Sequence, residues 1–190
     1  MKLIFLDHDG VICLSNNWGS RFKKQHKWGG RKLSMTSLEI PLEYRFDNFN
    51  KKSIKILNEI LETTGAEIIV SSDWKKWATL EEMGEYYLSQ GITKKPIGFT
   101  DSLLYADYNE FSWSKKFDSE QTRSFEIKEC LKIYPKVTHW VAIDDLDMSI
   151  RKNENGEYSW GLDNFVHTPI SDEGIKQCGI KEKIIKFLND

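Results

Sequence analysis

The stretch Lys2–Ile12, KLIFLDHDGVI, carries a short apolar run that stops on two carboxylates one residue apart, followed by a glycine. An apolar run of this length bounded by a turn signal reads as a buried strand. Successive side chains of a strand point to opposite faces, so Asp7 and Asp9 are expected on one face and His8 on the other. Two like charges that close repel. A hard cation with a preference for oxygen ligands, magnesium above all, would resolve the conflict. The alternative is a solvated Asp-X-Asp-Gly turn that merely ends the strand.

Working outward, the same punctuation recurs. "AEIIVSS" (66–72) and "HWVAIDD" (139–145) are further apolar strands that end on polar residues, and "PIGFT" (96–100) and "NFVHT" (164–168) are weaker ones. Between them lie helical patterns. Ser53–Thr64 places Ile54, Leu57, Ile60 and Leu61 on one face with Gly65 as a stop. "TLEEMGEYYLSQG" opens with a Thr79/Glu82 capping box and ends at Gly91. Ser124–Ile133 reads as a helix, and Ile180, Ile184, Ile185 and Leu188 mark a closing one. Strands alternating with helices predict an α/β fold, a doubly wound parallel sheet. In such sheets ligands bind beyond the carboxyl ends of the strands. "DHD", "SSD" and "DD" each stand at such an end, so three strands are expected to deliver them to one rim.

Two segments exceed the roughly 2–6 residues of an ordinary strand–helix loop. Residues 13–50 form an insertion after the first strand, and residues 96–122 form a second excursion rich in Tyr, Phe and Trp. Loops of this length cover sites or carry recognition. Residues 1–190 are expected to form one domain.

Together these stretches resemble the haloacid dehalogenase-like superfamily of phosphohydrolases. Asp7, His8, Asp9, Gly10 and Val11 match its first motif, "EIIVSS" the second, a basic residue near a helix the third, and "VAIDD" the fourth. "SSDWKKW", "TRSFEIKECL" and "VAIDD" are most similar to the small branch found in RNA-repair proteins, although Lys75 stands where that branch shows Arg. The resemblance implies a Rossmann-like core with a short cap insertion and a magnesium-dependent phosphatase. Asp7 would be the nucleophile and Asp9 the acid and base. Magnesium would be held by Asp7, the backbone carbonyl of Asp9, and Asp144, with Asp145 in support. Ser71 or its neighbour Ser72 would bind a phosphoryl oxygen, and Arg123 or Lys128 would supply the positive charge. A phosphotransferase on the same fold would differ only in what attacks the aspartyl-phosphate. A non-catalytic module binding phosphate or nucleic acid is the alternative from another class, and the intact Asp7 and Asp9 argue against it.

Simpler readings exist for each residue. Ser71 and Ser72 suit a turn or cap, Arg123 and Lys128 a solvated helix surface, and Asp144 and Asp145 a helix cap. Asp147 reads as a surface acid or a secondary support. His8 faces away from the aspartates, and His26, His139 and His167 are too scattered for a metal set. Trp74 and Trp77 read as core.

The bulk numbers narrow the function. The chain has 190 residues, of which 39% are hydrophobic and 29% charged, which suits a folded soluble domain. A net charge of -2 provides no global polycation for nucleic acid. No apolar stretch approaches the ~20 residues of a membrane span. "LIFL" is too short for the core of a signal peptide. Cys13, Cys130 and Cys178 fit no metal or disulfide spacing and point to a reducing, cytoplasmic setting. Locally, residues 21–32 gather Arg21, Lys23, Lys24, Lys27, Arg31 and Lys32, with Trp18, Phe22 and Trp28 interleaved or nearby. Basic groups with aromatics suit a phosphate-rich chain with unstacked bases. The competing reading is a flap that closes over the site. The expected substrates are a phosphorylated small molecule, a nucleotide or a nucleic-acid end.

Overall fold

The computed structural model describes residues 1–29, 40–101 and 119–190. Arg31, Lys32 and most of the excursion at 96–122 lie outside the described residues.

Strand β1 (Lys2–Leu6) is the centre of a five-stranded sheet. Its neighbours are β2 (Glu67–Val70) and β4 (His139–Asp144), and β3 (Gly98–Phe99) and β7 (Phe165–His167) close the two edges. The order is β3-β2-β1-β4-β7 and every pair is parallel. The chain builds outward on one side of β1 and then returns to build on the other. The carboxyl end of β1 therefore lies at the switch point where such sheets open a crevice.

Both faces of the sheet are covered, which explains why β1 is apolar at consecutive positions rather than alternate ones. Ile4 and Leu6 join Ile68, Val70, Val141 and Ile143 in one buried cluster with α3 (Lys51–Thr64), α4 (Leu80–Gln90) and α6 (Ile180–Asn189). Leu3 and Phe5 join Ile69, Ala142 and Phe165 in a second cluster on the opposite face, against Ile127 and Cys130 of α5 (Ser119–Ile133). The helix limits follow local chemistry. Asn50 caps α3 by accepting from the Lys52 and Ser53 amides, an arrangement worth about 1 kcal/mol. The Thr79/Glu82 capping box forms at the start of α4.

The insertion carries helix α1 (Ser20–Gly29) and the single turn α2 (Leu42–Arg45), neither of which has an apolar period to announce it. Asp47 anchors the start of α1. One oxygen accepts from the Arg21 amide (2.7 Å) and the Ser20 hydroxyl (3.2 Å), and the other pairs with the Arg21 guanidinium (3.1 Å). A carboxylate at a helix N-terminus satisfies free amides and opposes the helix dipole. Buried Arg45 fastens the insertion to α4 through Glu82 (3.0 Å) and the Trp77 carbonyl (2.8 Å). An antiparallel pair, β5 (Arg151–Lys152) and β6 (Tyr158–Trp160), stands apart from the main sheet.

Candidate active site

The register of the sheet assembles the site. Leu6 lies opposite Val70 on one side and Ile143 on the other, and the Ser71 amide donates to the Leu6 carbonyl (3.0 Å) while the Asp7 amide donates to that of Ile143 (3.1 Å). Ser71, Asp7 and Asp144 therefore form one row across three adjacent strands. By alternation each continues the face of Ile69, Phe5 and Ala142, which is the face covered by α5. Helix α5 lowers Arg123 onto this row. One guanidinium nitrogen lies 3.0 Å from Asp7 Oδ1 and 2.9 Å from Asp144 Oδ2, and the other is 3.8 Å from Asp73.

His8, one residue out of phase, continues the face of Ile4 and Leu6. It is fully buried against Phe49, Trp74 and Tyr87, and its Nε2 meets the Tyr87 hydroxyl at 2.6 Å. Burial, with Arg123 adding to it, pushes its pKa down to about 3 and keeps it neutral.

Asp9 departs from simple alternation. The regular strand ends at Leu6, and the chain turns through Gly10, with φ of 68°, so that the amides of Val11, Ile12 and Cys13 all point at the His8 carbonyl. The Asp9 carboxylate is thereby swung away from the Asp7 row, and its Oδ2 accepts from the Trp74 indole at 2.8 Å. Gly10 is required twice over, because a Cβ there would lie 2.4 Å from Asp145 Oδ2 and the backbone is left-handed.

Asp7, Asp144 and Asp145 bring ligand oxygens within 4.8 Å of one another. Asp144 accepts from the Leu146 amide (2.9 Å), and the Asp145 carbonyl accepts from His167 Nε2 (2.9 Å). Burial raises the pKa of Asp7 against the opposing charge of Arg123. Burial and then Asp7 push Asp144 up to about 8, and the same two causes raise Asp145. Burial and Asp7 also push Asp9 up to about 6, although the Trp74 bond works the other way. Three crowded carboxylates that Arg123 alone does not fully compensate, all offering hard oxygens, fit a magnesium ion.

The two serines separate. Ser72 Oγ accepts from the Trp74 amide (3.4 Å), starting the 3-10 turn Asp73–Trp77. Ser71 Oγ is buried and has no hydrogen-bond partner among the described residues. An unsatisfied buried hydroxyl in a row of acids is costly unless a ligand completes it.

Arg123 and Lys128 separate as well. Lys128 reaches the Tyr158 hydroxyl and lies 4.6 Å from the centre of that ring, beside the β5–β6 pair. One turn of helix carries it past the acids, so the structure does not bring it to the row of Ser71, Asp7 and Asp144. Asp147, read as a surface acid or a secondary support, accepts from the Ser149 amide and pairs with Arg151 at 2.6 Å.

Sequence reasoning gives no role to three residues beside the row, although it notes Lys75 as standing in place of an Arg. Lys75 Nζ lies 2.6 Å from Glu126 and 2.7 Å from Thr100 Oγ1, a buried pair tying the Ser71 loop to the helix that carries Arg123. Glu126 follows Arg123 by three residues, a spacing that puts both on one helix face and was legible in principle. Beside Asp9 opens a cleft of about 180 Å³, lined by Arg21, Phe46, Asp73, Trp74 and Trp77 among others.

The family described as "HAD domain in Swiss Army Knife RNA repair proteins" matches residues 3–177. No curated protein and no solved structure matches the chain. The matched span includes every strand of the parallel sheet and all the acids of the rim, and the chain belongs to this family of HAD domains.

Proposed function

We propose that the protein is a magnesium-dependent phosphatase of phosphate monoesters that works through an aspartyl-phosphate on Asp7. The observation that carries this reading is the row Ser71–Asp7–Asp144 beneath Arg123, with Asp9 held to one side. A phosphoryl group seated there meets the Asp7 carboxylate, the unpartnered Ser71 hydroxyl and the Arg123 guanidinium together.

An Asp7 oxygen forms a bond to phosphorus as the bond from phosphorus to the ester oxygen breaks. The departing oxygen takes the proton of Asp9 and leaves as an alcohol. Asp9, now ionised, accepts a proton from water as that water attacks phosphorus, which frees Asp7 and inorganic phosphate. Arg123 and Ser71 hold the phosphoryl oxygens throughout. A magnesium ion held by Asp7, Asp144, Asp145 and the Asp9 carbonyl would supply positive charge against the phosphoryl oxygens.

For the substrate, we favour nucleotides and nucleic-acid ends. The family's occurrence in RNA repair proteins supports this, as does helix α1, where Phe22, Lys23, His26, Lys27 and Trp28 are all exposed. Stacking surfaces beside cations suit unpaired bases on a charged backbone. No described helix is long and apolar enough to cross a membrane. The three free thiols fit a reducing, cytoplasmic setting.

The test is phosphate release from a panel of phosphorylated metabolites and 5′- and 3′-phosphorylated oligonucleotides, with magnesium and with a chelator. Release that depends on magnesium, with a phosphorylated Asp7 detectable after acid quenching, is expected. A panel that stays intact under all conditions overturns the reading.

A further inference from the structure

We propose that Trp74 is a positioning residue for Asp9, and that the site it creates serves phosphate esters of poorly departing alcohols such as sugar hydroxyls. This rests on the phosphatase reading above.

The Trp74 indole has one N–H and no acceptor, and it spends that N–H on Asp9 Oδ2 at 2.8 Å. The ring has little freedom to move. It lies parallel to Phe46 (4.9 Å between centres, 8°) and to Phe49 (5.4 Å, 16°), and the His8 ring meets it edgewise at 4.8 Å. Its own amide is held by Ser72. Phe46 and Phe49 end the insertion, and Ser72 adjoins the serine that faces the phosphoryl position. The indole thus links three parts of the molecule to one oxygen of one carboxylate.

A buried indole N–H needs some partner, so a hydrogen bond alone decides nothing. The choice of partner does. Among the described rim acids Asp9 is held apart from the group of Asp7, Asp144 and Asp145 that Arg123 meets, and it borders the cleft that runs on past Trp74, Phe46 and Trp77. A group leaving phosphorus from the side opposite Asp7 would pass Asp9 into that cleft. A phenolate departs without a proton. A sugar alkoxide does not, so the acid step of a fixed Asp9 matters for it, whereas the base step that follows is common to every ester.

The experiment compares Trp74→Phe with the unaltered protein on a series of esters, from p-nitrophenyl phosphate through phenyl phosphate to an alkyl phosphate, with magnesium. The phenylalanine ring preserves the stack and removes the N–H. In kcat/KM, which reports formation of the aspartyl-phosphate and not its hydrolysis, the alkyl ester should fall by about tenfold more than p-nitrophenyl phosphate. Asp9→Asn should show the same dependence more strongly, and adding Trp74→Phe to it should cost no more than about twofold, since both act through one group. Phe46→Leu, which loosens the ring but keeps its N–H, should show a weaker form of the same pattern and serves if Trp74→Phe does not fold. Equal losses of kcat/KM on all esters, or losses that add in the double variant, would assign Trp74 to packing and overturn the inference while leaving the phosphatase reading intact. A protein that turns over no ester in the series overturns both.

Discussion

The polar row at the ends of β2, β1 and β4 and the exposed face of α1 are both rich in charge, but they are built in opposite ways. In the row, Asp7 is 3% exposed and Asp144 1%, and both are aimed by sheet register against Arg123 of α5. On the insertion, Trp18 is 49% exposed and Phe22 51%, and Lys23 and Lys27 stand in solvent. A buried acid costs several kcal/mol unless its surroundings are arranged for it, so removing the counter-charge of the row should destabilise it more than neutralising one of its crowded acids. Solvated lysines and aromatics cost little to keep and adapt to what they meet. On the function proposed above, the row is suited to one reaction and the insertion to holding a large and variable substrate.

The sharpest way to break this contrast is at Asp7. Asp7→Asn should lower turnover by on the order of 10³-fold or more, because an amide cannot form the acyl-phosphate. The folded protein should persist, and relief of charge crowding among Asp7, Asp144 and Asp145 should hold or raise its melting temperature without magnesium. Turnover near the unaltered level in purified Asp7→Asn would remove the nucleophile from the scheme.

Arg123 comes next. It is the cation that meets both Asp7 and Asp144, so Arg123→Gln should cost about 10²-fold in turnover, the scale of losing a donor to the developing charge. It should also lower the melting temperature, since two buried acids lose their counter-charge, and magnesium should restore part of the loss. Lys128→Ala is the control on the same helix. A larger loss at Lys128 than at Arg123 would mean that α5 seats differently when substrate is bound.

These two positions also show what could be read from the chain. The row was legible because each of its residues ends an apolar run, and a parallel sheet brings such ends together. The rival pairs were not, since Ser71 against Ser72 turns on strand phase, and Arg123 against Lys128 on where one turn of helix points. The bond between Asp9 and Trp74 was hidden for a different reason. Alternation placed Asp9 beside Asp7, but the strand stops at Leu6 and the left-handed turn at Gly10 redirects the side chain. Helix α1 escaped notice because it has almost no apolar face and is held at its start by Asp47 from a distant part of the insertion. The β5–β6 pair escaped because its strands are only two and three residues long and mostly exposed.

A smaller effect is expected at the metal. Asp144→Ala should raise the magnesium concentration needed for half-maximal turnover by about tenfold, on the scale seen when a metal site loses one of its supporting groups. Magnesium titration of activity measures this directly. An unchanged requirement would pass the role to Asp145, whose oxygens share the same group.

The smallest effect falls on the insertion and probes the contrast from its other side. Lys23 and Lys27 are exposed on α1, whereas Lys24 is half-buried and donates to Asn48 at 3.0 Å, so the first two are the ones to change. Lys23→Gln with Lys27→Gln should weaken binding of a phosphorylated oligonucleotide by a few-fold at low salt. The difference should shrink as salt rises, because lysine–phosphate contacts act largely through release of counterions. Hydrolysis of a small aryl phosphate should change far less, since its reacting atoms meet only the row. Equal losses on both substrates would make the insertion a flap that closes the site rather than a surface that grips a strand. No loss on either would leave the basic face as solvated charge, and the nucleic-acid reading would then rest on family membership alone.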